Sequence, residues 1–307
     1  MSHVIEVDDL RAGYLDVVNR IFNYGVEVSP RGQKTLEIPG PVTIQINNPR
    51  DILAQGVGRK LNLGIGAAES CHLVGGVSDA VQMVSVAKNF GMFVEDGRLR
   101  GAYGPRLADQ FPRVAALLKK DPDTRQAGVT LWRPEELSTP SKDVPCTMSL
   151  FFHIRAGRLN LSVTMRSNDV FWGLPYDAWM FSNALHTMAW AIGVPVGVYY
   201  HTALSLHAYV DRDAKQLAAL HAPDVSVLPM RLPMLVDGLL ARPTDSTPQD
   251  AAQAWKLAAI FARLACLNAD TVHDASLPDG TRWYAGFLEK HVSAGVLGPD
   301  RYVMPRA

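Results

Sequence analysis

The sequence has little cysteine, no surplus of charge of either sign and no long unbroken apolar run. Its 307 residues include three cysteines, Cys71, Cys146 and Cys266, far apart and without a CxxC pair. That excludes a disulfide-stapled scaffold, argues against a metal site, and fits a reducing compartment. Lysine plus arginine (30) balances aspartate plus glutamate (30), for a net charge of +0. Generic nucleic-acid binding, which depends on counterion release by clustered cations, is therefore disfavoured. An anionic small molecule would have to be held by a few local arginines. The most apolar run, MAWAIGVPVGVYY at 188–200, is broken by Gly193, Pro195 and Gly197, which excludes a membrane span. The segment MSHVIEVDDLR carries acids where a secretory leader carries lysines. The expectation is a cytoplasmic protein with no membrane partner. No repeat or low-complexity linker divides the chain, and 48% of it is apolar, so residues 1–307 are expected to form one large domain.

What is present is ordered by periodicity. Residues 8–23 have helical spacing with Asp8 or Asp9 as a cap, VTIQI alternates as a strand, and 107–120 read as helical with a kink or restart at Pro112. DPDTRQ at 121–126 is turn chemistry leading into a strand at 129–132. Helices are expected from Asp177 to about Ile192 and over 212–221, 249–266 and 281–293, with Gly193 stopping the first. YYHTALSLHAYV at 199–210 reads as one strand, with His201, His207 and Tyr209 on one face. The class is α/β (α+β).

A hairpin is the clearest local object. TMSLFFHIR at 147–155 and RLNLSVTM at 158–165 flank Ala156-Gly157. A two-residue loop there sets Cys146 opposite Ser167. Strict alternation points Arg166 to the other side, so a bulge or the strand end is needed to turn it in.

Several residues carry possible chemistry. Cys146 is either an inert small core residue or a nucleophile, and a nearby arginine favours the thiolate. Arg166 is either a solvated surface charge or an oxyanion ligand. Asp177 is most simply a helix N-cap or first-turn acid. Glu69, in AAESCHLVGG, sits among small and apolar neighbours, so its carboxyl is paired or proton-active. A cysteine hydrolase is a weak reading, because His153 falls on the opposite face of the hairpin from Cys146.

Taken in order, PC at 145–146, RSNDVFWGLPYD at 166–177 and HAY at 207–209 resemble the nucleophile, phosphate-and-folate and ribose segments of thymidylate synthase. DPDTRQ is similar to its arginine-bearing loop and GAYG at 101–104 to its active-site tyrosine segment. The likeness runs from about Glu69 to Tyr209. It implies a large central mixed sheet flanked by helices and a homodimer packed through that sheet, with arginine shared across the interface. It also implies that Cys146 attacks C6 of a pyrimidine nucleoside monophosphate. Arg166, Ser167, Arg125 from the partner and Arg31 would hold the phosphate, and His207 and Tyr209 the sugar. Asp169, Gly173, Leu174, Tyr176 and Phe90 would face 5,10-methylenetetrahydrofolate, the one-carbon co-substrate. Glu69 would act as general acid/base, and Tyr103 would orient the surroundings of the nucleophile.

The sequence departs from that family at four kinds of position. Thymidylate synthases place Asn where this chain has Asp177, and Asp there is the pattern of the cytidylate (CMP/dCMP) 5-hydroxymethylases, such as those of nucleoside-antibiotic (mildiomycin) biosynthesis. Thr147 and Met165 stand where His and Gln are usual, and Gln126 where a second arginine is usual. The segment LGPDRYVMPRA does not match the tail that closes the site in thymidylate synthases. The resemblance therefore implies 5-hydroxymethylation of CMP or dCMP. The alternatives are a thymidylate synthase or dUMP hydroxymethylase with Asp177 as a mere cap, and a non-catalytic nucleotide- or RNA-binding paralogue.

Overall fold

A computed structural model describes residues 3–54, 61–138, 140–215, 234–237, 250–267 and 279–292. The segment 297–307 and residues 216–221 of the expected helix lie outside them. The first strand, β1 (His3–Val7), leads to helix α1 (Leu10–Tyr24), where Asp9 caps by accepting from the Ala12 N–H at 2.7 Å. Strands β2 (Val26–Val28), β3 (Thr35–Glu37) and β4 (Val42–Ile46) follow. Next come α2 (Leu63–Gly75), α3 (Ala80–Val86), α4 (Tyr103–Leu107) and α5 (Gln110–Lys120). The helix expected over 107–120 with a kink or restart at Pro112 is two pieces, and the restart comes at Gln110. Pro112 lies in the first turn of α5, where its missing N–H costs no helical bond.

The hairpin is β6 (Thr147–Arg155) and β7 (Arg158–Met165), flanked by β5 (Gly128–Thr130). Ala156 (φ 50°) and Gly157 (φ 71°) both adopt left-handed backbone, the turn whose twist matches the flanking strands. The remaining elements are β8 (Asn168–Asp169), α6 (Leu174–Ile192), β9 (Val196–Ala203), β10 (Leu206–Tyr209), α7 (Ala251–Leu267) and α8 (Asp279–Val292).

Among the described residues two sheets form, a mixed one in the order β1-β4-β9-β7-β6-β5 and a smaller one in the order β2-β3-β10-β8. The single strand expected over 199–210 is therefore two, divided at Leu204-Ser205 and belonging to different sheets. The Leu204 N–H bonds the Met165 carbonyl at 2.8 Å and the Asn168 N–H bonds the Ser205 carbonyl at 2.8 Å. The chain thus leaves one ladder and enters the other, which separates His201 from His207.

The buried centre is α6, apolar nearly all round and packed on α2, α7 and the large sheet. Trp179 lies face-on to Gly66 of α2, where any Cβ would overlap its ring. The Trp179 indole N–H and the Asn183 amide both donate to the Tyr284 hydroxyl, at 2.8 and 2.9 Å. This lock holds α2, α6 and α8 together, and with them Glu69 and Asp177.

Candidate active site

The site is built where the hairpin loses its regular register. From Arg155 back to Ser149 the strands pair as a two-residue loop requires, but Thr147 pairs with Met165 instead of Arg166. Met148 is the extra residue of a β-bulge. The bulge turns the strand end, so Cys146 sits opposite Arg166 rather than Ser167, and the Arg166 N–H bonds the Cys146 carbonyl at 2.8 Å.

The Arg166 guanidinium is braced before any ligand arrives. Its Nε donates to the Pro145 carbonyl at 2.9 Å and Nη2 to the Val144 carbonyl at 3.1 Å, with Nη2 3.7 Å from the Cys146 Sγ. The group lies over the Trp132 ring, 5.7 Å from its centroid. Burial pushes the Cys146 thiol up, Arg166 and Arg31 pull it down, and Asp177 and Asp143 push it up again. Burial thus disfavours the thiolate, and the Arg166 guanidinium beside it favours it.

Cys146 and Arg166 open into a cavity of about 590 Å³. Its walls bring together seven of the sequence-predicted residues: Arg31, Glu69, Phe90, Tyr103, Cys146, Arg166 and Asp177. Arg31 is exposed and adopts left-handed backbone (φ 53°) in the turn before β3. Tyr103 accepts from the Thr147 N–H at 3.2 Å, leaving its own proton to donate. Its ring stacks on Phe181 with centroids 6.2 Å apart.

Two carboxyls face this space. Burial, and then the charge of Asp177, raise Glu69 to about 8. Burial raises Asp177 to about 7, opposed by a hydrogen bond from Asn168 and reinforced by Asp169. Like charges in one low-dielectric site suppress each other's ionisation, so Glu69 is raised past neutrality and Asp177 to about neutrality, the range in which a carboxyl can exchange protons. Of the two simple readings, Asp177 is the first-turn acid of α6 and not its cap: Gly173 occupies the cap position, and Asp177 Oδ2 accepts from Asn168 Nδ2 at 2.8 Å.

The other predicted residues are not cavity walls. Arg125 is exposed on the loop after α5. Ser167 lies between Arg166 and β8, and β8 pairs in parallel with β10, setting His207 beside Asp169. The RSND and HAY segments are thus adjacent strands. His207 meets Tyr209 edge-to-face at 5.1 Å, and Arg212 lies 4.1 Å from the Tyr209 centroid. Asp169 is occupied: Oδ1 accepts from the Phe171 and Trp172 N–H groups at 2.8 and 3.3 Å, and Oδ2 pairs with Arg212. It shapes the turn ahead of α6. Leu174 and Tyr176 are buried, the Tyr176 hydroxyl accepting from the Asn62 N–H at 2.9 Å. Gly173 gives Asn168 room, because a Cβ there would lie 2.7 Å from Asn168 Nδ2.

Sequence reasoning missed Trp132, Asp143 and Asn168. Asp143 Oδ2 accepts from the Gly101 N–H at 2.7 Å and fixes the GAYG segment. Asn168 lay inside the quoted RSND stretch, but no periodicity reveals a contact made nine residues further on.

The chain's similarities agree with this geometry. The family model described as thymidylate synthase matches residues 12–232. A protein of Bacillus phage SP01 named deoxyuridylate hydroxymethyltransferase is 36% identical over 217 residues, covering 64% of this chain and 56% of the relative. One of the same name from Pseudomonas phage M6 is 29% identical over 215 residues, covering 67% and 61%. The chain therefore spans little more than half the length of these two relatives. Among the described residues no helix is long and apolar enough to cross a membrane. With its thiol, arginine and paired carboxyls on one cavity, and most of its length matched, the chain belongs to the thymidylate synthase family.

Proposed function

We propose that this protein is a 5-hydroxymethylase of cytidine monophosphate, CMP or dCMP, acting with 5,10-methylenetetrahydrofolate as the one-carbon donor. The observation that carries the reading is the place of Asp177, on the cavity wall with its carboxyl near neutral pH and no capping role. Cytosine presents N3 as an acceptor and N4 as a donor. A protonated carboxyl donates to the first and accepts from the second, whereas Asn in a uracil-reading orientation would set donor against donor. A wrong buried polar pattern can cost about 10⁴-fold in discrimination.

Cys146 adds through sulfur to C6 of the ring, which makes C5 a nucleophilic enamine carbon. Arg166 stabilises the sulfur as it ionises and, with Arg31, Ser167 and Arg125 of a second subunit, holds the phosphate. His207 and Tyr209 hold the sugar. Glu69 delivers and removes ring protons, directly or through water, and Tyr103 donates toward the reacting centre. The folate supplies the carbon that becomes the hydroxymethyl group. The apolar wall of Met83, Phe90, Phe93 and Leu99 suits its flat ring system, with the Gly173 turn ordering the adjoining side. C5 bonds to the donated carbon, and the C5 proton is removed as tetrahydrofolate departs with the electrons of its C–N bond. Water adds at the exocyclic carbon so formed, and Cys146 then leaves C6. The catalytic unit is the whole chain as one domain, paired as a homodimer.

The phage relatives' names support a hydroxymethyl product and favour a second reading, in which the base is uracil of dUMP. One assay separates the two. Purified protein receives the folate and equal CMP, dCMP and dUMP, products are weighed by mass spectrometry, and dihydrofolate absorbance is followed. A hydroxymethyl mass on CMP or dCMP without dihydrofolate is expected. The same mass on dUMP establishes the second reading, and a methyl mass on dUMP with dihydrofolate makes the protein a thymidylate synthase.

A further inference from the structure

A neutral carboxyl alone is an ambiguous reader of bases. With the proton on one oxygen it matches cytosine, and with the proton on the other it donates to O4 and accepts from N3–H of uracil. Something must break that symmetry if Asp177 is to choose.

A buried chain of side chains does so. The Tyr199 hydroxyl lies 2.7 Å from His201 Nδ1, His201 Nε2 lies 3.0 Å from Asn168 Oδ1, and Asn168 Nδ2 donates to Asp177 Oδ2 at 2.8 Å. Tyr199 and His201 are fully buried and Asn168 nearly so. An amide oxygen only accepts, so His201 must carry its proton on Nε2, and Nδ1 then accepts from Tyr199. This polarity aims the Asn168 N–H at Oδ2. The oxygen receiving that bond is the poorer place for a second proton, so Oδ1 is the O–H. Gly173 supports the arrangement by leaving space beside the amide.

We infer that Asn168, oriented by His201 and Tyr199, is a positioning residue that fixes the proton of Asp177 on Oδ1 and so, with Oδ1 set against N3 of the ring and Oδ2 against the group at position 4, makes the site read cytosine. The inference rests on the cytidylate reading above. Burial holds His201 down at about 3, so the imidazole stays neutral and the chain keeps its direction through the physiological range. Among the described residues, Glu69 of α2, Tyr103 of α4, Tyr199 of β9, Asp169 of β8 and Cys146 couple to Asp177 and all are acids, while Arg166 and Arg31 line the same cavity and His201 stays neutral behind Asn168. Among the described residues the only hydrogen bond recorded for the Asp177 carboxyl is the one from Asn168.

The test compares kcat/KM for the cytidylate and dUMP, and the pH dependence of cytidylate binding by calorimetry, in wild type, Asn168→Ala, His201→Leu and His201→Gln. Loss of one such bond is worth about tenfold. Asn168→Ala and His201→Leu should therefore cut the cytidylate-to-dUMP ratio about tenfold and move the binding pH midpoint upward. His201→Gln, whose amide N–H still reaches Asn168, should keep most of both. If Asn168→Ala does not fold, the Leu and Gln pair at position 201 decides. An unchanged ratio and unchanged pH midpoint in Asn168→Ala and His201→Leu, in an enzyme that uses cytidylate, overturns the positioning role alone. A wild type that prefers dUMP overturns the base reading, and this assignment with it, before any variant is made.

Discussion

At the residue scale the central pairing is Cys146 with Arg166. The guanidinium is tied to two backbone carbonyls, so its position does not depend on the nucleotide. Cys146→Ala is expected to abolish product formation while leaving nucleotide binding nearly intact, since the arginine keeps its braces; calorimetry beside a turnover assay checks both. Glu69 makes a different prediction. Its carboxyl titrates near 4.5 when free and at about 8 in the fold. Because the folded value is raised, this group favours the folded state below about pH 4.5, and the contribution is lost as pH rises toward 8. Glu69→Gln should therefore melt a few degrees above wild type at about pH 9 and no higher at about pH 5, as thermal scans at both conditions would show. Burial among small residues made Glu69 legible in the sequence. Asn168 was not, because its role comes from three contacts that meet only in the folded protein.

At the element scale the hairpin's turn and arms follow from alternation around Ala156-Gly157, and the need for a bulge was itself foreseeable. The change of sheet at Leu204-Ser205 was not. Alternation continues through it, and only ladder bonds to Met165 and from Asn168 divide the strand. That division matters chemically, because it lets His201 reach Asn168 while His207 pairs beside Asp169 in the smaller sheet. The α2–α6 contact is equally tight. Gly66 has no room for a methyl group against Trp179, and Glu69 is one turn further along the same helix. Overpacking of this kind costs about 1–3 kcal/mol. Gly66→Ala is expected to lower the denaturation midpoint accordingly and to reduce turnover through the displaced carboxyl. Unchanged stability would show that Trp179 moves aside freely.

At the scale of the whole molecule, fold class was readable because several motifs occur in order in one sequence; those carrying Glu69, Tyr103, Cys146, Arg166 and Asp177 meet on one cavity, whereas HAY and DPDTRQ do not line it. A homodimer is implied only by resemblance. The proposed homodimer, with Arg125 completing a partner's phosphate site, predicts complementation. Cys146→Ala and Arg125→Ala proteins, each nearly inactive, should regain up to roughly a quarter of wild-type turnover after mixing and subunit exchange, since half the dimers then hold one intact site. No recovery in dimers shown to have exchanged would place Arg125 outside the site.

The whole account turns on Asp177 as the reader of the base. The most direct measurement is the competition between cytidylate and dUMP, run side by side on wild type and Asp177→Asn. The prediction is that wild type hydroxymethylates the cytidylate and that the variant shifts its preference toward dUMP by orders of magnitude, about what a reversed buried hydrogen-bond pattern is worth. An Asp177→Asn protein that folds, turns over and keeps the wild-type preference would contradict it.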